Sequence, residues 1–325
     1  MSRTAPTAPH GRTGHGRLLP GGAFVLAALL AACAHAPPVA WDVVDPTLDE
    51  LSGLAASHRH AGLLWGLEDG GNPAELVALD AAGRRRAALQ VSGVENVDWE
   101  DLARFDWNGQ PHLLIADVGD NDAVRPEVRL LAVAEPRTLT DATVTPVWDR
   151  RLVWSDGPRD CESVAVDAAR GEILLVTKRT LPPRLYVAPL PSAPPGRTGS
   201  ADAMADAAQG APLRAEFVAT LAGVPVTPEA DIRADVRAAW RHQTTGAALS
   251  PDGRRLAVLT YTEVLLYERQ GDETWGAAVS RPARLLPLPA MPQAEAITWS
   301  ADGRALLVTG ERPPTRIHRL AVPRR

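Results

Sequence analysis

The sequence predicts an all-β chain folded as a single β-propeller of four-stranded blades. Three observations carry that expectation. A six-residue phrase returns five times: SGLAAS from Ser52, EDLARF from Glu100, ESVAVD from Glu162, TGAALS from Thr245 and EAITWS from Glu295. An apolar run follows each copy, at 63–67, 112–116, 172–177, 255–260 and 305–309. The copies recur roughly every 50 to 80 residues, the period of a strand meander repeated around an axis. Asp or Ser opens several of the linkers and Gly closes them (Asp80 to Gly83, Asp167 to Gly171, Ser250 to Gly253, Ser300 to Gly303). A polar side chain that caps its own backbone, followed by a residue free to take positive φ, makes a tight hairpin.

Taken in chain order, residues 1–32 read as a lipoprotein signal peptide. Arg3, Arg12 and Arg17 form a basic start, 22–32 is apolar or small, and Leu30-Ala31-Ala32-Cys33 matches a lipobox. The alternative is an ordinary cleaved signal peptide with an incidental cysteine. An apolar stretch of about 11 residues is too short to cross roughly 30 Å of hydrocarbon. Lipidated Cys33 would therefore anchor the chain to a membrane. Residues 33–38 are its tether and 39–325 the propeller. Ala34 after the cysteine points, in a Gram-negative cell, to the outer membrane facing the periplasm.

Within the propeller, blade one takes 52–57, 63–67, 75–79 and 86–91. Blade two takes 100–105, 112–116, 129–134 and 147–154. Blade three takes 162–167, 172–177, 184–188 and 215–221, and blade four takes 245–250, 255–260, 264–268 and 284–288. Blade five has 295–300, 305–309 and 316–322 and lacks a fourth strand. Residues 39–44 are left over at the other end, so the N-terminal segment is expected to complete the last blade, because an open edge leaves backbone groups unpaired. Five blades then close. Six would need a degenerate blade within 191–243, a stretch with one good strand, a Pro/Gly/Ala-rich loop and a short helix around 230–241.

Composition narrows the function. The formal charge is −5, and loss of the three leader arginines makes the remainder more acidic still. Nucleic-acid binding, which needs concentrated Lys and Arg, is excluded; cation binding is permitted. The chain has two cysteines, so once Cys33 is acylated Cys161 has no partner for a disulfide and is expected to be buried and inert. A monomer is expected.

The innermost strand of each blade begins on the face where the second strand ends. Ten polar residues fall there: Glu50, Asp98, Asp160, Gln243 and Gln293, then Ser52, Glu100, Glu162, Thr245 and Glu295. The second-strand ends add Asp69, Asp117, Asp120, Lys178, Arg179, Tyr261, Glu311 and Arg312. The expected result is an acidic funnel with one cationic side, formed by Lys178, Arg179 and Arg312. One reading is architectural, with these groups solvated or hydrogen-bonded between blades. The other is a hard cation, calcium before others, held by Glu50, Asp69, Asp98, Glu100, Asp117, Asp120, Asp160, Glu162 and Glu295, since so many carboxylates near one axis repel unless neutralised. The loop from Asp117 to Asp122 lacks the EF-hand spacing. No Gly-x-Ser-x-Gly, His-Glu-x-x-His or Walker motif is present, so no catalytic residue is assigned. Trp99, between Asp98 and Glu100, is expected near the mouth.

ELSGL from Glu50, LWGLED ending at Asp69, DWEDLA from Asp98, ADVGDN from Ala116 and DCESVA from Asp160 resemble motifs of bacterial propellers called SdiA-regulated or phytase-like, across nearly the whole chain after the leader. The resemblance implies a propeller in an extracytoplasmic setting and, for phytase-like members, calcium-dependent hydrolysis of phosphate esters. Three readings follow. The first is a lipid-anchored propeller binding calcium and a small-molecule or protein ligand. The second is a calcium-dependent phosphoesterase or esterase, and the third an envelope scaffold.

Overall fold

The computed structural model describes residues 40–192 and 211–322. The segments expected to be signal peptide and tether, with Cys33, lie outside the described residues. Among the described residues twenty-one strands carry the fold, and twenty of them group into five meanders. The first is β2 (Leu51–Ala56), β3 (Leu64–Glu68), β4 (Glu75–Leu79) and β5 (Arg85–Val91). The second is β6 (Trp99–Trp107), β7 (Gln110–Asp117), β8 (Val128–Ala134) and β10 (Trp148–Trp154). The third is β11 (Cys161–Asp167), β12 (Glu172–Thr177), β13 (Arg184–Pro189) and β14 (Leu213–Thr220), and the fourth is β15 (Thr244–Leu249), β16 (Arg255–Thr260), β17 (Glu263–Glu268) and β18 (Arg284–Pro287). The last comprises β19 (Ala294–Trp299), β20 (Ala305–Gly310), β21 (Arg316–Ala321) and, from the other end of the chain, β1 (Ala40–Asp42).

β1 pairs antiparallel with β21 in the register Ala40↔His318, Trp41↔Ile317, Asp42↔Arg316. The fourth strand of blade five is thus the N-terminal segment. The inner strands β2, β6, β11, β15 and β19 pack each on the next, and β19 returns to β2. Among the described residues nothing forms a sixth blade; the helical expectation near 230–241 is met by α1 (Glu229–Ala234) and a 3-10 turn (Val236–Trp240).

The core explains why the strands read as continuous apolar runs rather than alternating ones. Each blade is covered on both faces by its neighbours, so both sets of alternate side chains are buried. In blade one Trp65, Leu67, Leu76 and Leu89 point toward blade two and meet Leu102, Ile115 and Val133. Leu51, Leu54, Leu64 and Leu79 point the other way and meet Ala296, Leu307 and Ile317 of blade five. Three more such layers join blades two to three, three to four and four to five. Trp99 belongs to the first layer and is fully buried, so its side chain packs between blades instead of reaching the mouth. Cys161 is fully buried with Sγ against the Val176 carbonyl at 3.4 Å, and burial pushes its thiol pKa up.

One strand has no counterpart in the sequence reading. β9 (Ala142–Val144), from the link between β8 and β10, runs parallel to β5 and extends blade one to five strands. Likewise β10 pairs parallel with β14. Both contacts cover outer edges that would otherwise be open. The helix α2 (Trp275–Val279), capped by the Thr274 hydroxyl, packs on β14 and places Trp275 Nε1 2.9 Å from Asp167.

Candidate functional site

Every inner strand carries a register shift near its start. The shifts fall between Leu51 and Gly53, Trp99 and Asp101, Cys161 and Ser163, Thr244 and Gly246, and Ala294 and Ala296. The residues skipped are Ser52, Glu100, Glu162, Thr245 and Glu295, one at the first position of each repeated phrase. A bulge places two residues opposite one and re-aims a side chain that regular alternation would send elsewhere. The repeated phrase therefore encodes a ring of five bulges.

The five bulge residues do different work. Ser52 Oγ donates to the Glu100 carbonyl at 2.6 Å and Thr245 Oγ1 to the Ala294 carbonyl at 2.6 Å, each joining its blade to the next. The other three are glutamates, all buried. Lys178, the only lysine in the chain, is buried beside them and bonds Glu162. Its charge also acts on Glu295, and its Nζ lies 5.5 Å from the Tyr261 ring centre. Burial pushes the Glu162 carboxyl up to about 8 against the pull of Lys178, while Glu162 and Glu295 hold Lys178 in its charged form, its pKa raised against the opposing pull of burial. Burial also raises Glu295 well above the ordinary carboxylate range, with Lys178 opposing.

Glu100 feels the Lys178 charge only at a distance. Its carboxylate makes no hydrogen bond or ion pair among the described residues, although the side chain is only 5 % exposed. Oxygens of Glu100, Asp69 and Asp98 lie within 4.8 Å of one another. Burial, then Glu162 and Asp69, drive the Glu100 pKa well above its ordinary value. Burial and Asp69 lift Asp98 to about 6, with Arg125 opposing, and burial also raises Asp69.

Backbone geometry packs this trio. Asp98 sits between Gly70 and Gly119. A Cβ at Gly70 would come within 2.7 Å of Asp98 Oδ1, and one at Gly119 would collide with the Asp98 carboxyl and Glu100 Oε1. Asp69 is held by the Gly70 N–H at 2.6 Å. Asn96 ties the two blades together: its Nδ2 donates to the Asp69 carbonyl at 2.7 Å and its Oδ1 accepts from Trp99 N–H at 3.0 Å. Gly70, Asn96 and Gly119 were missed in sequence, where a glycine or asparagine in a loop carries no chemical signature. The only clue was their position between acidic motifs.

The remaining expected residues lie around the trio in other roles. Asp117 pairs with Arg125 at 2.8 Å and Asp160 with Arg179 at 2.7 Å. Arg179 also bonds Asn121. The Asp120 carboxylate accepts the N–H groups of Val124 and Arg125 at 2.8 and 2.9 Å, closing its own loop. Glu50, exposed at the rim, accepts from Asn72 at 2.7 Å. Arg312 is exposed and forms no ion pair within 4.0 Å among the described residues, its charge acting on Glu311. Of the expected cations, Lys178 and Arg179 pair with funnel acids and Arg312 acts on Glu311 at a distance, while Arg125, unremarked in sequence, pairs with Asp117. On the same face, His242 Nδ1 lies 2.7 Å from Glu263, which also accepts from Thr260 and Thr262. His58 and His60 sit in the β2–β3 link, on the opposite face.

Chemically, the funnel divides. The Glu162, Glu295 and Lys178 side is largely self-neutralised. The Asp69, Asp98 and Glu100 side joins one buried carboxylate, Glu100, to two half-buried ones, with no ion-pair partner among the described residues.

No protein-family model matches the chain, and no curated protein matches it. Similar solved structures include the β-propeller domain of Myceliophteria thermophila Swd1 (14% identity over 84% of each chain, TM-score 0.38). Kuenenia stuttgartiensis hydrazine synthase is similar at 10% identity over 81% of this chain and 69% of that one, with TM-score 0.39. The Pseudomonas aeruginosa periplasmic gluconolactonase is similar at 13% identity over 79% and 66%, with TM-score 0.39. The fold itself rests on the strand pairing and blade packing traced above.

Proposed function

We propose that this chain is a lipid-anchored, extracytoplasmic binding propeller whose funnel takes a divalent cation on Asp69, Asp98 and Glu100. The observation that supports it most is the Glu100 carboxylate, buried and without a partner beside two further acids. An uncompensated buried charge costs several kcal/mol, and a cation offsets that cost. Ligand oxygens around calcium lie about 2.3–2.6 Å from the ion, hence within about 5 Å of each other, which suits the trio. The all-oxygen donor set favours a hard ion, calcium first. A small-molecule or protein ligand would complete the coordination from the open side of the funnel. Anchoring through Cys33 would place the chain on the outer membrane, facing the periplasm, as a monomer.

The test is calorimetric titration of calcium and magnesium into the full chain and into Glu100→Gln. Micromolar calcium binding weakened at least 100-fold in the variant supports the site. Equal heats from both proteins, or none from either, count against it.

The second reading is a calcium-dependent phosphoesterase or esterase of the phytase-like kind that the sequence motifs resemble. It draws on Lys178 and on the His242–Glu263 pair, which supplies a carboxylate-oriented imidazole on the mouth face. Hydrolysis of aryl phosphates or esters that requires calcium and falls in Glu100→Gln would favour it. An envelope scaffold remains the reading if neither metal nor ligand binds.

A further inference from the structure

A second concave site lies on the opposite face, between blades four and five. It has a volume of about 740 Å³ and is bounded by the turns that join β15 to β16 and β19 to β20, with the start of the β17–β18 link. Six arginines line it: Arg254, Arg255, Arg269, Arg281, Arg284 and Arg304. Two of its three acids are occupied by the turns themselves. Asp252 takes the Ser250 hydroxyl and the Arg254 N–H, and Asp302 takes the Ser300 hydroxyl and the Arg304 N–H. Glu268 is the third.

Arg281 is already paired with Glu273 at 2.5 Å and donates to the Glu268 carbonyl at 2.9 Å; the other five arginines are arranged in two ways. Arg255 and Arg269 are mostly buried and held in place. Arg255 lies over the Trp299 ring at 4.4 Å and donates to the Gly303 carbonyl at 2.9 Å, with Asp252 4.0 Å away. Arg269 lies over the Trp275 ring at 5.3 Å and donates to the Gly253 carbonyl at 3.0 Å, with Asp167 3.8 Å away. The Arg269 Nε is buried and has no hydrogen-bond partner among the described residues. Arg254, Arg284 and Arg304 form no ion pair within 4.0 Å among the described residues. Arginines elsewhere on the surface are commonly paired, as in Arg129 with Asp149, Arg214 with Glu216 and Arg316 with Asp42. Concentrating unpaired guanidiniums in one hollow is unfavourable without a counter-anion, because like charges in a partly desolvated cleft repel.

We infer that this cavity binds a phosphate-bearing ligand. Guanidinium forks match phosphate oxygens two at a time. Arg255 and Arg269, fixed by ring stacking and turn carbonyls, provide a preorganised base, and Arg254, Arg284 and Arg304 supply the rim. The phosphate comes from a soluble compound or from a lipid headgroup, and the two sources are separable.

The experiment uses the full chain carrying Cys33→Ala, so that no acyl chain holds it to a bilayer, with a chelator present so that no funnel metal carries the anion. Pyrophosphate is titrated by calorimetry. Co-sedimentation is measured with phosphatidylglycerol and phosphatidylcholine vesicles. Both are repeated with Arg254→Glu/Arg304→Glu and with the milder Arg254→Gln/Arg304→Gln pair in the same background. Pyrophosphate binding weakened at least tenfold by the paired substitutions assigns a soluble phosphate. Binding to phosphatidylglycerol alone, lost in the same variants, assigns a headgroup. Binding to neither probe, or binding that both pairs leave unchanged, overturns the inference.

Discussion

Asp101 and Ala247 stand 146 residues apart in sequence, yet Asp101 Oδ2 accepts the Ala247 N–H at 3.0 Å. The same oxygen accepts from Val164 at 2.8 Å, and Oδ1 accepts from Leu102 at 2.8 Å. One fully buried carboxylate thus receives backbone donors from blades two, three and four. Burial lifts its pKa to about 7 against the pull of those three donors. Asp101→Ala leaves the donors unpaired and is expected to cost about 3 kcal/mol. Asp101→Asn keeps an acceptor oxygen and is expected to cost less. Urea unfolding of both variants checks the order; equal losses would contradict the bridging role.

Gly119→Ala separates the proposed metal site from the fold. The new methyl would meet the Asp98 and Glu100 carboxyls, which must swing aside. Calcium affinity is expected to fall at least tenfold while stability drops by about 1–3 kcal/mol, the usual cost of overpacking. Calorimetry paired with denaturation reads both, and unchanged affinity would show that the trio does not act together.

His112 provides a pH-dependent term far from the funnel. It is buried against Phe105 and Trp107, and its Nδ1 lies 2.8 Å from the Gln110 carbonyl. Burial depresses its pKa below the ordinary 6.5. The native state keeps the ring neutral while the unfolded chain protonates it. Its contribution is therefore complete above pH 6.5 and is lost as pH falls from there toward the depressed value. The stability gap between wild type and His112→Asn should narrow between pH 7.5 and 5. A gap independent of pH would rule the effect out.

Ring closure depends on β1. Trp41→Pro removes a backbone donor from the strand that covers β21 and is expected to cost about 3 kcal/mol. The exposed β21 edge would also favour self-association. Light scattering and urea unfolding of the full chain measure both effects; a stable monomeric variant would mean that closure rests on the core layers alone.

Much of this protein was legible in its sequence. The blade phrases, the hairpin turns and the missing fourth strand of blade five depend on local patterning and on counting, and the fold follows them closely. The ring of Ser52, Glu100, Glu162, Thr245 and Glu295 was legible as well, although for an incomplete reason. Alternation grouped these residues, whereas bulges turn them. Tertiary structure alone decided which acids are neutralised. Lys178 pairs with Glu162, Arg179 with Asp160 and Arg125 with Asp117, leaving Glu100, Asp69 and Asp98 together with no ion-pair partner among the described residues. It also sent Trp99 into the core, left Arg312 in solvent and added β9 to the edge of blade one. The physical reason is range. Strand periodicity and turn chemistry act over a few residues and are written along the chain. Charge pairing, desolvation and close backbone approach depend on distances of a few ångströms between blades, which exist only once the ring has closed.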